Sequence, residues 1–201
     1  MWINSIFQSI QGEGIHTGAP AIFIRLCGCN LKCTFCDTDY SAGKEMSLRE
    51  IQNELRVLRS IFSSAPGSLL VVVTGGEPLI HENLGDLLEV IREDGFKVEL
   101  ETNGTIRPTA RVLSFCNFIS MSPKVPRDQI KLQGCTSLKI LYPFLPGIDA
   151  FSFKGYPCQA AYIQPIDING VIPTDKAIEE VKWLGWPFQL GIQLHKMLRI
   201  P

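Results

Sequence analysis

The sequence has no hydrophobic run long enough to cross a bilayer. Its longest aliphatic stretch is Leu69 to Val73, against roughly 20 residues for a spanning helix. Nor does one sign of charge dominate. With 19 basic and 20 acidic residues the net charge is −1, so the electrostatic footprint of a nucleic-acid binder is missing. The start, Met1-Trp2-Ile3-Asn4-Ser5, lacks the basic segment and apolar core of a secretory signal. Seven cysteines is an odd count, and with nothing secretory beside it a disulfide framework is not expected. No repeat, low-complexity tract or linker interrupts the 201 residues, which suits one domain over 1–201 with a proper core. The expectation is a cytoplasmic enzyme of 45% hydrophobic and 19% charged composition, bound to neither membrane nor nucleic acid.

What is present is a concentration of thiols. Cys29, Cys33 and Cys36 form C-x3-C-x2-C directly after an apolar strand. Thiolates this close converge on one metal centre only if the chain wraps around it. Three of them leave a four-site centre one ligand short, which is what catalysis needs and structural sites lack. Cys27 could add a fourth thiolate and make a zinc site, although the spacing differs from paired C-x2-C knuckles. Cys116, Cys135 and Cys158 stand alone and read as ordinary thiols.

Along the chain, residues 2 to 10 suit a short strand, broken by Gln11-Gly12-Glu13-Gly14, either a plain turn or a loop approaching a ligand. In the strand Ala21 to Cys27, alternation puts Ile22, Ile24 and Leu26 on one face and Phe23, Arg25 and Cys27 on the other. Arg25 is a lone cation there and needs an anion, either a protein carboxylate or a ligand. Asp37-Thr38-Asp39 is rich in oxygen ligands, as a hard-cation loop or a common surface run would be. Ser47 to Glu50 is a capping box opening a helix to about Phe62, stopped by Pro66-Gly67. Leu69 to Val73 reads as a strand buried on both faces, ending in Thr74-Gly75-Gly76-Glu77-Pro78.

The pattern then repeats. Asn83 caps a helix to Asp94, closed by Gly95, and Lys97 to Thr102 is a strand turning at Asn103-Gly104-Thr105. A short helix at 109–115 and strands at 118–122 and 137–141 follow. Residues 143–161 read as irregular, Tyr162-Ile163-Gln164 as a strand, Thr174 as the cap of the last helix and Gln189 to Gln193 as the final strand. Such alternation implies an α/β fold with mostly parallel strands. The length falls short of the roughly 250 residues of a closed barrel, so a partial, open β/α barrel is expected, with its polar motifs at the C-terminal strand ends.

The C-x3-C-x2-C spacing followed by Gly75-Gly76-Glu77 resembles the radical S-adenosylmethionine (SAM) superfamily. Gln11 to Gly14, the Arg25 to Thr38 stretch, Glu101 to Thr105, Ser122-Pro123-Lys124, Gln164 to Asp167 and Gln193 to Lys196 narrow the likeness. Together they resemble the 7-carboxy-7-deazaguanine synthase family over nearly the whole chain. That resemblance implies a radical SAM fold and conversion of 6-carboxy-5,6,7,8-tetrahydropterin to 7-carboxy-7-deazaguanine with loss of ammonia. It implies a [4Fe–4S] cluster on Cys29, Cys33 and Cys36, and SAM held by Gly76, Ser122, Pro123, Lys124, Gln164, Pro165, Ile166 and Asp167. Substrate contacts would come from Ile10, Gln11, Gly12, Glu13, Arg25, Thr74, His195 and Pro201, and Mg²⁺ would sit on Thr38. The radical would be supplied by the cofactor, so the resemblance implies no catalytic side chain. A homodimer and a flavodoxin- or ferredoxin-type electron donor are also implied. A glycyl-radical activating enzyme and a non-catalytic zinc or iron–sulfur module are the alternatives.

Overall fold

The computed structural model describes residues 1–62, 69–168 and 170–201. Pro66 and Gly67, read as the stop of the first helix, lie outside the described residues. The chain groups into two units. One comprises residues 1–10, 19–101 and 108–118, the other residues 11–18, 102–107 and 119–201.

In the first unit, β1 (Trp2–Ile10) pairs antiparallel with β2 (Pro20–Leu26) and with the two-residue β3 (Lys44–Glu45). β2 then pairs parallel with β4 (Leu70–Gly75), and β4 with β5 (Lys97–Thr102). The alternation in β2 plays out as expected. Ile22, Ile24 and Leu26 join Val71, Val73, Val98 and Leu100 in a core under the helices, whereas Phe23 lies with Ala21, Leu70 and Val72 on the opposite face. Helix α1 (Leu48–Arg59) opens on the capping box: Glu50 N–H donates to Ser47 Oγ, and Ser47 N–H to the Glu50 carboxylate. It buries Ile51 and Leu55, with Leu48, Leu58 and Phe62 packed at the margin, and ends three residues short of Phe62. Helix α2 (Leu84–Glu93) follows β4, and α3 (Ala110–Phe115) is capped by Thr109 Oγ1. Asn83 holds the cap position of α2, but its side chain makes no capping bond.

In the second unit, β6 (Phe118–Met121), β7 (Cys135–Tyr142), β8 (Cys158–Pro165) and β9 (Phe188–Leu190) run parallel in that order. Leu138, Ile140, Ala161 and Ile163 form its core with Phe153, Tyr156 and Ala177. Among the described residues neither set of strands closes on itself, so the open α/β class is met with mostly parallel pairing.

Four local expectations are corrected here. The region 143–161 is not irregular throughout, because β8 begins at Cys158, in register with Cys135. Thr174 is the first residue of α4 (Thr174–Leu184), not its cap, which is Pro173. The final strand is Phe188–Leu190, so Gln193 lies beyond it. Nor is α4 the last helix: Leu194–Leu198 forms a short α5, so this part of the tail is helical.

Candidate functional site

β2 delivers the chain into the cysteine loop, where Cys29, Cys33 and Cys36 take part in no disulfide. The loop is shaped by backbone bonds. Gly28 N–H donates to the Tyr40 carbonyl at 3.1 Å, Glu77 N–H to the Gly28 carbonyl at 3.0 Å and Cys36 N–H to the Cys33 carbonyl at 3.2 Å. Leu31 N–H donates to Cys29 Sγ at 3.4 Å, the kind of contact that stabilises a thiolate. The Tyr40 hydroxyl is pushed to a higher pKa by burial and by all three of these thiols. The Cys29 thiol is raised by burial first, and Cys36 contributes. Cys27 points elsewhere: its thiol donates to the Ala42 carbonyl at 3.3 Å, and burial and Asp39 raise its pKa. Three soft thiols within one short loop, with the neighbouring Cys27 bonded to the Ala42 carbonyl, fit a three-thiolate cluster. Among the described residues no preformed group of three or more His, Cys, Asp or Glu ligands is assembled.

Gly76 follows β4 and lies flat on that loop. A Cβ there would overlap the Gly28 carbonyl oxygen and approach Cys29 Cβ to 2.7 Å. Glu77 is fully buried, and its Oε1 accepts from Leu79 N–H at 3.0 Å. His81 Nε2 lies 2.9 Å from the Cys27 carbonyl, and burial lowers its pKa.

On the face of Phe23, Arg25 and Thr74 are register partners at the C-terminal ends of β2 and β4. Arg25 Nη1 donates to Thr38 Oγ1 at 3.1 Å, and the guanidinium sits 5.8 Å from the Phe7 ring centroid. Thr38 Oγ1 in turn lies 3.4 Å from Asp37 Oδ1, and Thr74 Oγ1 donates to Glu101 Oε2 at 2.9 Å. Ile10 ends β1 opposite Pro20. This unit therefore groups Arg25 with Thr38, and Thr74 with Glu101.

The second unit carries the Gln11–Gly14 loop. Glu13 N–H donates to Gln11 Oε1 at 3.2 Å. The Glu13 carboxylate takes Lys139 Nζ on Oε2 at 2.6 Å and Gln193 Nε2 on Oε1 at 2.8 Å. A Cβ on Gly12 would overlap the His195 ring, and Leu194 N–H donates to the Gly12 carbonyl at 3.0 Å, so α5 is seated on this loop. Burial alone would raise the pKa of Glu13. Lys139, by charge and hydrogen bond, with Gln193 and His195, reverses that and lowers it from 4.5 to about 2.

The stability consequence has a definite sign. A carboxylate with a depressed folded pKa stabilises fully above its unfolded pKa, and that contribution is lost as pH falls towards the folded one. The native protein should therefore lose more stability between about pH 4.5 and 2 than the neutral double variant Glu13→Gln/Lys139→Met. Urea unfolding across that interval checks it, and parallel acid profiles would contradict it.

In the same unit, Ser122 Oγ donates to the Lys139 carbonyl at 3.2 Å and accepts from Lys124 Nζ at 2.5 Å, beside a buried Pro123. Gln164, at the end of β8, is 1% exposed, and neither amide atom has a hydrogen-bond partner among the described residues. A buried amide left so is costly, and a polar ligand would relieve it. Pro165 and Ile166 are buried behind it, and Asp167 Oδ1 accepts from Gly170 N–H at 2.7 Å. Pro201 is exposed at the end.

Sequence reasoning missed Lys139, Gln193 and Glu101. Lys139 carried the same signal as Arg25, a single cation inside an apolar strand. The strand-like run 189–193 hides Gln193, and nothing local to the sequence marks Glu101.

Comparison with known proteins agrees with this geometry. The family model described as Radical SAM superfamily matches residues 23–135. A 7-carboxy-7-deazaguanine synthase of Bacteroides thetaiotaomicron is 37% identical over 199 residues, 98% of this chain and 97% of that relative. The Rickettsia prowazekii protein of the same name is 37% identical over 216 residues, covering 98% of this chain and 88% of its own. The crystal structure of QueE from Escherichia coli superimposes with a TM-score of 0.65 at 26% identity, covering 96% of this chain and 94% of that one.

Proposed function

The chain belongs to the 7-carboxy-7-deazaguanine synthase family of the radical SAM superfamily, and on that premise we infer that it converts 6-carboxy-5,6,7,8-tetrahydropterin to 7-carboxy-7-deazaguanine with loss of ammonia. The observation that carries this reading is the relationship over nearly the full length of both chains, joined to the C-x3-C-x2-C thiols of one loop. It displaces the zinc module and the glycyl-radical activating enzyme.

A [4Fe–4S] cluster with SAM supplies the one-electron chemistry that begins with hydrogen abstraction from a substrate carbon. The chain's part is to hold and orient. Cys29, Cys33 and Cys36 hold the cluster, and Cys27 does not. Gly76, Ser122 to Lys124 and Gln164 to Asp167 hold SAM; the unpaired Gln164 amide and the flat backbone of Gly76 support that role. Ile10 to Glu13, Arg25, Thr74, His195 and Pro201 contact the pterin, and Thr38 helps to bind Mg²⁺. All 201 residues act as one radical SAM domain, as a homodimer in the cytoplasm, reduced by a flavodoxin- or ferredoxin-type donor. Among the described residues no helix is long and apolar enough to cross a membrane. Anaerobic incubation with SAM, reductant and the tetrahydropterin should yield the deazaguanine acid and ammonia by mass spectrometry and ammonia assay. A cluster-loaded protein that cleaves SAM yet leaves the pterin intact would sink this reading.

Arg25 bears on the substrate carboxylate. Its fork can grip two oxygens, which an ammonium cannot do in the same plane. Arg25→Lys should weaken pterin binding about 10- to 100-fold, the range for a lost charge-assisted pair, while uncoupled SAM cleavage persists. Unchanged affinity would reassign Arg25 to its contacts with Thr38 and Phe7.

A further inference from the structure

Lys139 occupies the middle of β7 with only 6% of its side chain exposed, and its ammonium lies against the carboxylate of a side chain that is 18% exposed. A lysine rarely takes such a place, because desolvating its charge costs several kcal/mol unless a partner compensates. Here the partner is Glu13, held on its other oxygen by Gln193. We propose that Lys139 is a positioning residue that fixes Glu13 as a pure acceptor, and thereby makes the site select 2-amino-4-oxopyrimidine edges over 2,4-dioxo edges. The proposal rests on the pterin reading above and names the residue that sets its specificity.

An ionised carboxylate has about four acceptor positions in its plane and no donor. Lys139 and Gln193 occupy one on each oxygen, leaving one per oxygen for a ligand. Two parallel acceptors match two parallel N–H donors, the pattern of the N3–H and 2-amino group of a pterin. A 2-oxo group in place of the amine would set a carbonyl oxygen against a carboxylate oxygen. Gln193 adds to this polarity. Because its Nε2 faces the carboxylate, its buried Oε1 has no partner among the described residues and is a further acceptor. The amide cannot turn over without setting its own oxygen on Glu13.

Lys139 decides which form Glu13 takes. Without the ammonium, a carboxyl in this partly buried place is driven towards its neutral form. It would then donate from one oxygen and accept at the other, and that pattern suits the dioxo edge. His195, whose charge also acts on Glu13, comes from α5 and remains in either case. A lysine whose only task was packing would leave ligand discrimination untouched.

The test uses anaerobically reconstituted holoenzyme with SAM. Equilibrium dialysis gives Kd for 6-carboxytetrahydropterin and for the corresponding 2-oxo compound, 6-carboxytetrahydrolumazine, with iron content and circular dichroism as controls. The unmodified protein should prefer the 2-amino compound by about 100-fold or more, as sites built on buried polar matching do. Lys139→Met should raise the pterin Kd about tenfold and cut the preference at least tenfold, with kcat at saturation changing far less than KM. A folded Lys139→Met protein with the original preference overturns the proposal. Should that variant not fold, Glu13→Gln and the neutral double Glu13→Gln/Lys139→Met still decide. Since Lys139 acts through Glu13, the two should agree within about threefold, and a further loss in the double would assign Lys139 a separate role and overturn the proposal. If Glu13→Gln alone keeps the full preference, the pterin-edge reading of Glu13 fails. If Glu13→Gln loses it while Lys139→Met keeps it, only the positioning role fails.

Discussion

Replacing any one of Cys29, Cys33 or Cys36 with Ala abolishes SAM cleavage and product formation, whereas Cys27→Ala retains the cluster and most of the activity. The contrast comes from spacing and from where Cys27 points. Cys29, Cys33 and Cys36 carry the C-x3-C-x2-C pattern, and Cys27 donates to the Ala42 carbonyl instead. A three-thiolate centre has no spare ligand, so losing one leaves two, too few to hold a four-iron cluster in place. Metal analysis and reductive SAM cleavage, run on all four variants, check the set. Iron lost from Cys27→Ala to the extent seen for the other three would bring back the four-thiolate arrangement.

Gly76→Ala is expected to be nearly as damaging, although it removes no ligand. The added methyl meets the Gly28 carbonyl oxygen and Cys29 Cβ, which are backbone or close to it and cannot swing aside as a flexible side chain would. Either the end of β4 or the cysteine loop must move. Overpacking of this kind costs about 1–3 kcal/mol of stability, and a displacement of about 1 Å at a reacting centre can cost about 100-fold in rate. The variant should fold with a lowered melting temperature and lose turnover by about that factor, with iron content reduced. Wild-type turnover in Gly76→Ala would show that the loop has room, against the contacts drawn here.

Much of the first unit was legible in the sequence because its signals are local. The alternation of Ile22, Ile24 and Leu26 against Phe23 needs only the strand period, and Ser47 with Glu50 needs only one turn of helix. The second unit was less legible because its structure is decided by pairing. Cys158, Gln159, Ala160 and Ala161 carry weak strand preference, yet β8 begins there because Cys158 and Ala160 align with Cys135 and Ser137 of β7. Helix α5 is only five residues long and has no capping side chain, so no pattern announces it; its seat against Gly12 does. Among site residues, the cysteines and both glycine motifs were readable from spacing. Lys139 was readable only as a charge out of place, and its partner Glu13 is 126 residues away in the chain.

The central claim is that three thiolates of this chain hold an iron–sulfur cluster with one position left for SAM. A count of iron, acid-labile sulfide and zinc on the anaerobically purified protein tests it most directly. A [4Fe–4S] centre requires about four iron and about four sulfide per chain, with zinc in trace. One zinc per chain with no sulfide would contradict the account, because a closed zinc site has no place for the cofactor on which the chemistry depends.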